Sequence, residues 1–139
     1  METEKLVEKL QTADSLDDYL DEFGEHCLEG FSFSECYKML ARKKNVKNLA
    51  VFDLGQVDRS YGYEIVKGKK KPSRDKVIKI CFGLQLSIPE AQLLLRHSGF
   101  SPLTPKARRD ATVMFALAHG VNLMNANDML YDNQYEILE

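Results

Sequence analysis

What most constrains this chain is a succession of short amphipathic segments, each opened by a capping residue and closed by a helix breaker. Apolar residues recur three and four apart, the period of one helix face, and no segment sustains the alternation of a half-buried strand. Ser32 and Glu35 have the spacing of a capping box, with Phe31 placed as its staple. The helix they open carries Phe33, Cys36, Tyr37, Leu40 and Ala41 on one stripe and stops near Asn45. A short helix follows from Asn48, with Leu49, Val51 and Phe52 apolar, and ends at Gly55-Gln56. Asp58 caps the next, which runs to Lys67, and Gly68 supplies a left-handed stop. Lys69-Lys70-Lys71-Pro72 reads as a loop, because proline pushes its predecessor out of helical geometry. Ser73 caps a helix with Val77, Ile78, Ile80 and Cys81 inside, broken at Gly83. Ser87 and Glu90 make a second capping box around Pro89, for a helix through Leu93 to Leu95 that ends at Gly99.

The flanks are helical too. Leu6, Val7 and Leu10 begin a short helix that ends near Gln11. Ser15 and Asp18 open another, with Leu16, Tyr19, Leu20 and Phe23 on one face and Asp17, Asp18, Asp21, Glu22 and Glu25 on the other. Ser101-Pro102-Leu103-Thr104-Pro105 is a stiff connector and reads as a domain seam, with Thr104 as cap and Pro105 at the first helical position. The helix beyond it uses Ala107, Ala111, Met114, Phe115 and Ala118 and stops at Gly120, and a last one spans Leu123 to Tyr131. The fold class is therefore all-α, in three parts: an acidic N-terminal helical segment over 1–30, a helical domain over 31–100 and a C-terminal helical extension over 101–139. No internal repeat is evident.

Composition narrows the classes of function. At 139 residues, 44% hydrophobic and 29% charged, the chain has the make-up of a globular protein with a real core. No apolar run approaches the roughly 20 residues of a membrane span, and METEKLVEKL lacks the basic start and apolar stretch of a signal peptide, so a cytoplasmic protein without membrane contact is expected. Cys27, Cys36 and Cys81 form no CxxC pattern, and buried thiols are expected rather than disulfides or a metal site; His26-Cys27 with Cys36 is the only near-pattern. His26, His97 and His119 are scattered, and no nucleophile motif or Gly-rich phosphate loop is present, so no catalytic residues, enzyme activity or cofactor are assigned. The net charge of −2 conceals an asymmetry: residues 1–36 hold 11 acidic and 2 basic side chains, and residues 59–79 hold 8 basic and 2 acidic. A basic stripe of that density attracts polyanions whatever the mean charge.

The helices over 48–55 and 58–67 are separated by only a few residues, the arrangement of a helix-turn-helix. The second of the pair is placed to enter a major groove. In Asp58-Arg59-Ser60-Tyr61, Ile65 and Lys67-Gly68-Lys69-Lys70-Lys71-Pro72-Ser73, followed by Val77, Ile80 and Gly83-Leu84, residues 32–98 resemble the Xre and lambda-repressor-like (Cro-type) family. The resemblance implies a five-helix repressor-like helix-turn-helix core, here with acidic N-terminal helices and two C-terminal ones. Its implied function is sequence-specific, DNA-binding transcription regulation, repressor-like in scaffold. The chain departs from the family at four places. Val51-Phe52 stands where Leu-Ala is usual, and the turn glycine falls at Gly55 instead of Gln56. Gly62 replaces a branched aliphatic residue, with Tyr61 or Tyr63 expected to fill the space above it, and Val66 replaces a common glutamate.

With double-stranded DNA as partner, roles follow from helical spacing. Arg59, Tyr63 and Lys67 lie at i, i+4 and i+8 with Ser60 beside them, and these four are the expected base contacts. Arg59 is the first choice for a guanine, because its fork matches O6 and N7. Lys69, Lys70, Lys71 and Arg74 are expected to neutralise phosphates, and Asn48, among the free N–H groups of its helix start, to hold another. Glu64, near the same face, would repel phosphate. A homodimer binding two half-sites is the corresponding assembly. Two alternatives stay open: the scaffold as a protein-interaction module that no longer reads DNA, and an N-terminal segment 1–30 that masks the basic face.

Overall fold

A computed structural model describes residues 3–23 and 32–139. The Phe31 staple and His26-Cys27 lie outside the described residues, as do the side chains of Leu20 and Phe23. The described residues form helices without strands: α1 (Thr3–Thr12), α2 (Leu16–Phe23), α3 (Phe33–Lys44), α4 (Asn48–Leu54), α5 (Arg59–Val66), α6 (Arg74–Gly83), α7 (Ile88–His97), α8 (Arg108–Ala118) and α9 (Leu123–Asp132). None of them is long and apolar enough to cross a membrane.

The chain divides into two units, residues 1–32 and residues 33–139. In the first, α1 packs on α2, and the Ser15 hydroxyl caps α2 by accepting from the Asp18 N–H at 3.1 Å. In the second, α4 lies on α6 and α3 on α7, with α5 held by both α3 and α4. Tyr37, Leu40, Phe52, Ile65, Ile80 and Leu94 are fully buried at the centre. Each aliphatic or aromatic side chain so buried stabilises the fold by roughly 1.5–3 kcal/mol. Cys36 and Cys81 sit buried in this core without a disulfide between them, and burial, with Cys36 alongside, pushes the Cys81 thiol up. Lys43 and Lys44 of α3 reach Glu90 of α7 at 3.1 and 2.9 Å, pinning the two helices across their polar rim.

Capping accounts for where the helices start and stop. Asp58, Ser73 and Asn122 each accept from the N–H three residues on, and Ser87 with Glu90 closes a complete capping box. All seven helices from α3 to α9 end on one device. A left-handed residue (Asn45, Gln56, Gly68, Gln85, Gly99, Gly120, Gln134) is followed by an N–H that bonds back to the carbonyl five residues earlier. The residue after the left-handed one is apolar or aromatic at six of these ends, Val46, Val57, Leu86, Phe100, Val121 and Tyr135; at α5 it is Lys69. The apolar residue normally folds back on its own helix, so Lys69 sets the end of α5 apart.

The expected seam at Ser101–Pro105 is a connector inside one unit. Gln92 of α7 makes paired hydrogen bonds of 2.7 Å to the N–H and carbonyl of Leu103. The Thr104 N–H donates to Asp110 at 3.1 Å. With Thr104 and Pro105 held in this turn, α8 begins at Arg108, later than Pro105 as first helical residue would have it.

Contrary to the sequence expectation, residues 74–138 contain an internal repeat, offset by 35 positions. Only five positions are identical, Arg74/Arg109, Asp75/Asp110, Ala91/Ala126, Leu95/Leu130 and Leu103/Leu138, yet the polar framework matches bond for bond. Arg74 donates to the Ser101 and Pro102 carbonyls, and Arg109 to those of Glu136 and Ile137. Gln92 embraces Leu103, and Asn127 embraces Leu138 through the same pair of bonds. Between the halves the pairing is reciprocal: Arg74 binds Asp110 through both oxygens, and Arg109 binds Asp75 likewise. Reciprocal contact is the mark of a two-fold relation. The hairpins α6–α7 and α8–α9 are thus a pseudo-symmetric pair, with α8 packed on α7 as α6 is on α9.

Candidate nucleic-acid interface

Four residues, Gly55 to Asp58, join α4 to α5. The chain leaves α4 with Gln56 left-handed at φ 51°, Val57 buried, and Asp58 accepting from the Tyr61 N–H at 3.1 Å. Gly55 has a structural reason. A Cβ at Gly55 would stand 2.7 Å from the Lys79 carbonyl oxygen, and one at Gly83 would stand 2.3 Å from that of Val51. The α4 and α6 backbones touch at both points. Glycine is spent on this close approach, and glutamine takes the left-handed position at a cost of roughly 1–2 kcal/mol.

Gly62 and Phe52 explain each other. A Cβ on Gly62 would lie 2.8 Å from three atoms of the Phe52 ring. Phe52 fills the space that a branched side chain at position 62 would occupy. Neither tyrosine does so. Tyr63 meets the Phe52 ring edge-on, with centroids 5.1 Å apart, and Tyr61 lies under the Lys76 ammonium at 5.8 Å. The inner face of α5 is held by buried Ile65 and Val66, and the Ser34 hydroxyl of α3 donates to the Val66 carbonyl.

The outer face of α5 presents Arg59, Ser60 and Lys67 exposed and Tyr63 half-buried. Arg59 lies 3.5 Å from Asp53, with both side chains about two-thirds exposed. A surface pair of this kind contributes about 0–1 kcal/mol and is readily exchanged for another anion. Beyond Gly68, at φ 80°, Lys69 and Lys71 are exposed. Lys70 lies 2.9 Å from Glu64, whose hydrogen bond and charge raise the lysine pKa. The repulsion expected of Glu64 is thereby neutralised, and Lys70 is engaged in neutralising it.

Of two further expected phosphate contacts, Arg74 is engaged inside the fold, whereas at Asn48 the side chain is engaged and no side chain caps the N–H groups of the helix start. Arg74 is the anchor of the 101–102 connector and of Asp110, as described above. Asn48 accepts from the buried Tyr37 hydroxyl at 2.7 Å, fixing the start of α4 on α3. Burial, reinforced by Tyr63, pushes the Tyr37 phenol up to about 12, so it keeps its donating proton. Sequence reasoning overlooked Lys38 and Arg42. They are exposed on α3 and line an open groove with Asn45, Asn48 and Val66, the last residue of α5. Positions 38, 42 and 45 fall at helical spacing on the side of α3 away from its core stripe, which is the signal that would have found them. The chain matches no family model, no curated protein and no solved structure in comparisons with each.

Proposed function

We propose that this chain is a sequence-specific DNA-binding protein in which α4 and α5 act as a helix-turn-helix and α5 reads the major groove. The observation that carries the reading is α5 itself. Its inner face is locked by Ile65, Val66 and the Ser34 bond, while Arg59, Ser60 and Lys67 stand outward and the helix runs out into Lys69 and Lys71. A helix whose one face is rigidly seated and whose other face is polar and cationic is suited to base contact. Arg59, near the start of α5, is assigned to a guanine. Ser60, the outer edge of Tyr63 and Lys67 continue the base-reading face, and Lys69 and Lys71 are assigned to phosphates. Lys38 and Arg42 extend the phosphate set along α3. Lys70 joins it only by exchanging Glu64 for phosphate, and Arg74 is left out of it. The regulation of transcription follows as the role of such a module.

Selection from a randomised duplex pool at two salt concentrations tests this. The reading predicts an enriched motif and an affinity that falls steeply with salt, since each phosphate neutralised contributes about 0.9 to the logarithmic slope. Retention without enrichment, vanishing at moderate salt, would leave the scaffold as a protein-interaction module.

A further inference from the structure

The internal repeat shows which surface of the molecule lacks its counterpart. In the first hairpin the outer stripe of α6 is Val77, Ile80, Gly83 and Leu84, all buried, with the Val51 carbonyl of α4 against Gly83. Thirty-five positions on, α8 carries Thr112, Phe115, Ala118 and His119 on the same stripe. Phe115 is 52% exposed where Ile80 is 0%, and Ala118 and His119 are exposed where Gly83 and Leu84 are buried. The Phe115 ring stacks on His119, with centroids 4.1 Å apart. On α9, Met124 and Tyr131 are 60% and 75% exposed. Large apolar side chains gathered on one hairpin mark an interaction surface, and the first hairpin shows that a stripe of this register takes a packed helix.

Charge identifies the occupant. Arg108 begins the α8 stripe, at i−7 from Phe115, and is exposed. Asp128 and Asp132 flank Tyr131 on α9 and are exposed too. In an antiparallel hairpin the start of α8 and the end of α9 lie at the same end, so the face has one basic and one acidic edge there. Two such faces, related by a two-fold axis parallel to the helices, bring α8 opposite α9 and Arg108 opposite the carboxylates of the other copy. The chain already uses this reciprocal Arg–Asp pairing between its own two hairpins.

We infer that the outer face of α8–α9 is a self-association surface, on which a second copy of this chain docks around Phe115 with Arg108 paired to Asp128 and Asp132 across the axis. The inference stands apart from the DNA-binding reading, because no residue of α5 enters it.

Sedimentation equilibrium of the full chain across about 1–100 µM, a range that resolves weak dimers, tests it with surface variants. The wild-type chain and Arg59→Ala are expected to dimerise alike. Phe115→Glu is expected to be monomeric, with an unchanged far-ultraviolet spectrum because the side chain is exposed. Arg108→Glu is expected to weaken association at least tenfold, and adding Asp128→Lys and Asp132→Lys to it is expected to restore the dimer. A wild-type monomer throughout the range, a dimer indifferent to Phe115→Glu, or failure of the charge-reversed variant to recover would each overturn the proposal.

Discussion

At the scale of single residues, the turn between α4 and α5 is shaped by exchanges of size. Phe52 lies where Gly62 leaves room, and neither residue makes sense alone. Gly62→Ala should therefore destabilise the protein by about 1–3 kcal/mol through overpacking, although alanine in a helix interior is worth roughly 1 kcal/mol over glycine. Combined with Phe52→Leu it should recover, and a double-mutant cycle by urea unfolding should show favourable coupling of about 1 kcal/mol or more. Additive losses would mean that the ring yields freely. Glu90 carries the clearest pH signature. Burial works against its charge, but the Ser87 N–H, Lys44 and Lys43 prevail and hold its carboxyl down to about 2. A folded pKa below the unfolded value of 4.5 means that this stabilisation is complete above that value and is lost as pH falls towards 2. Thermal unfolding followed between those limits should show a steeper acid loss for the wild-type chain than for Glu90→Gln, which should already be less stable at pH 7.

At the scale of elements, what is local was legible and what is distant was not. Asp58, Ser73 and the Ser87–Glu90 box cap the helices that the sequence assigns to them, because a cap depends on residues three apart. The start of α8 was misplaced because Asp110, six residues on and itself fixed by Arg74 of α6 across the fold, captures the Thr104 N–H. The repeat escaped notice because its halves agree in hydrogen-bonding role more than in residue type, with glutamine answered by asparagine and glycine by glutamine. Arg74 shows the consequence for the site. Its basic character was plain in the sequence, and its partners lie 27 to 36 residues away. Arg74→Ala should lower stability by about 1–3 kcal/mol, since it strips a largely buried carboxylate of its partner. The salt dependence of DNA binding should stay as it was. Lys69→Ala and Lys71→Ala should do the reverse, each removing about one unit from the salt slope with little change in melting temperature. Equal slopes for Arg74→Ala and Lys71→Ala would contradict this division of labour.

At the scale of the whole molecule, residues 33–139 form one body in which α5 is braced by α3 and α4, and these pack in turn on α7 and α6 of the first pseudo-symmetric hairpin. The cationic character of 59–79 was legible in the sequence, but its distribution was not. Arg74 turns inward and Lys70 is tied to Glu64, while Lys38 and Arg42 join from α3. The candidate surface is therefore built from two helices and a loop. Its proposed base reader, Arg59, makes an exposed pairing with Asp53. The central claim is that α5 reads bases and that Arg59 specifies one of them. Selection from the same randomised duplex pool by wild-type and Arg59→Ala proteins tests it most directly. The account predicts a wild-type motif containing a guanine whose preference disappears in the variant, with about 1–3 kcal/mol lost on the selected site and the remaining positions retained. An identical motif from both proteins, or none from either, would contradict it.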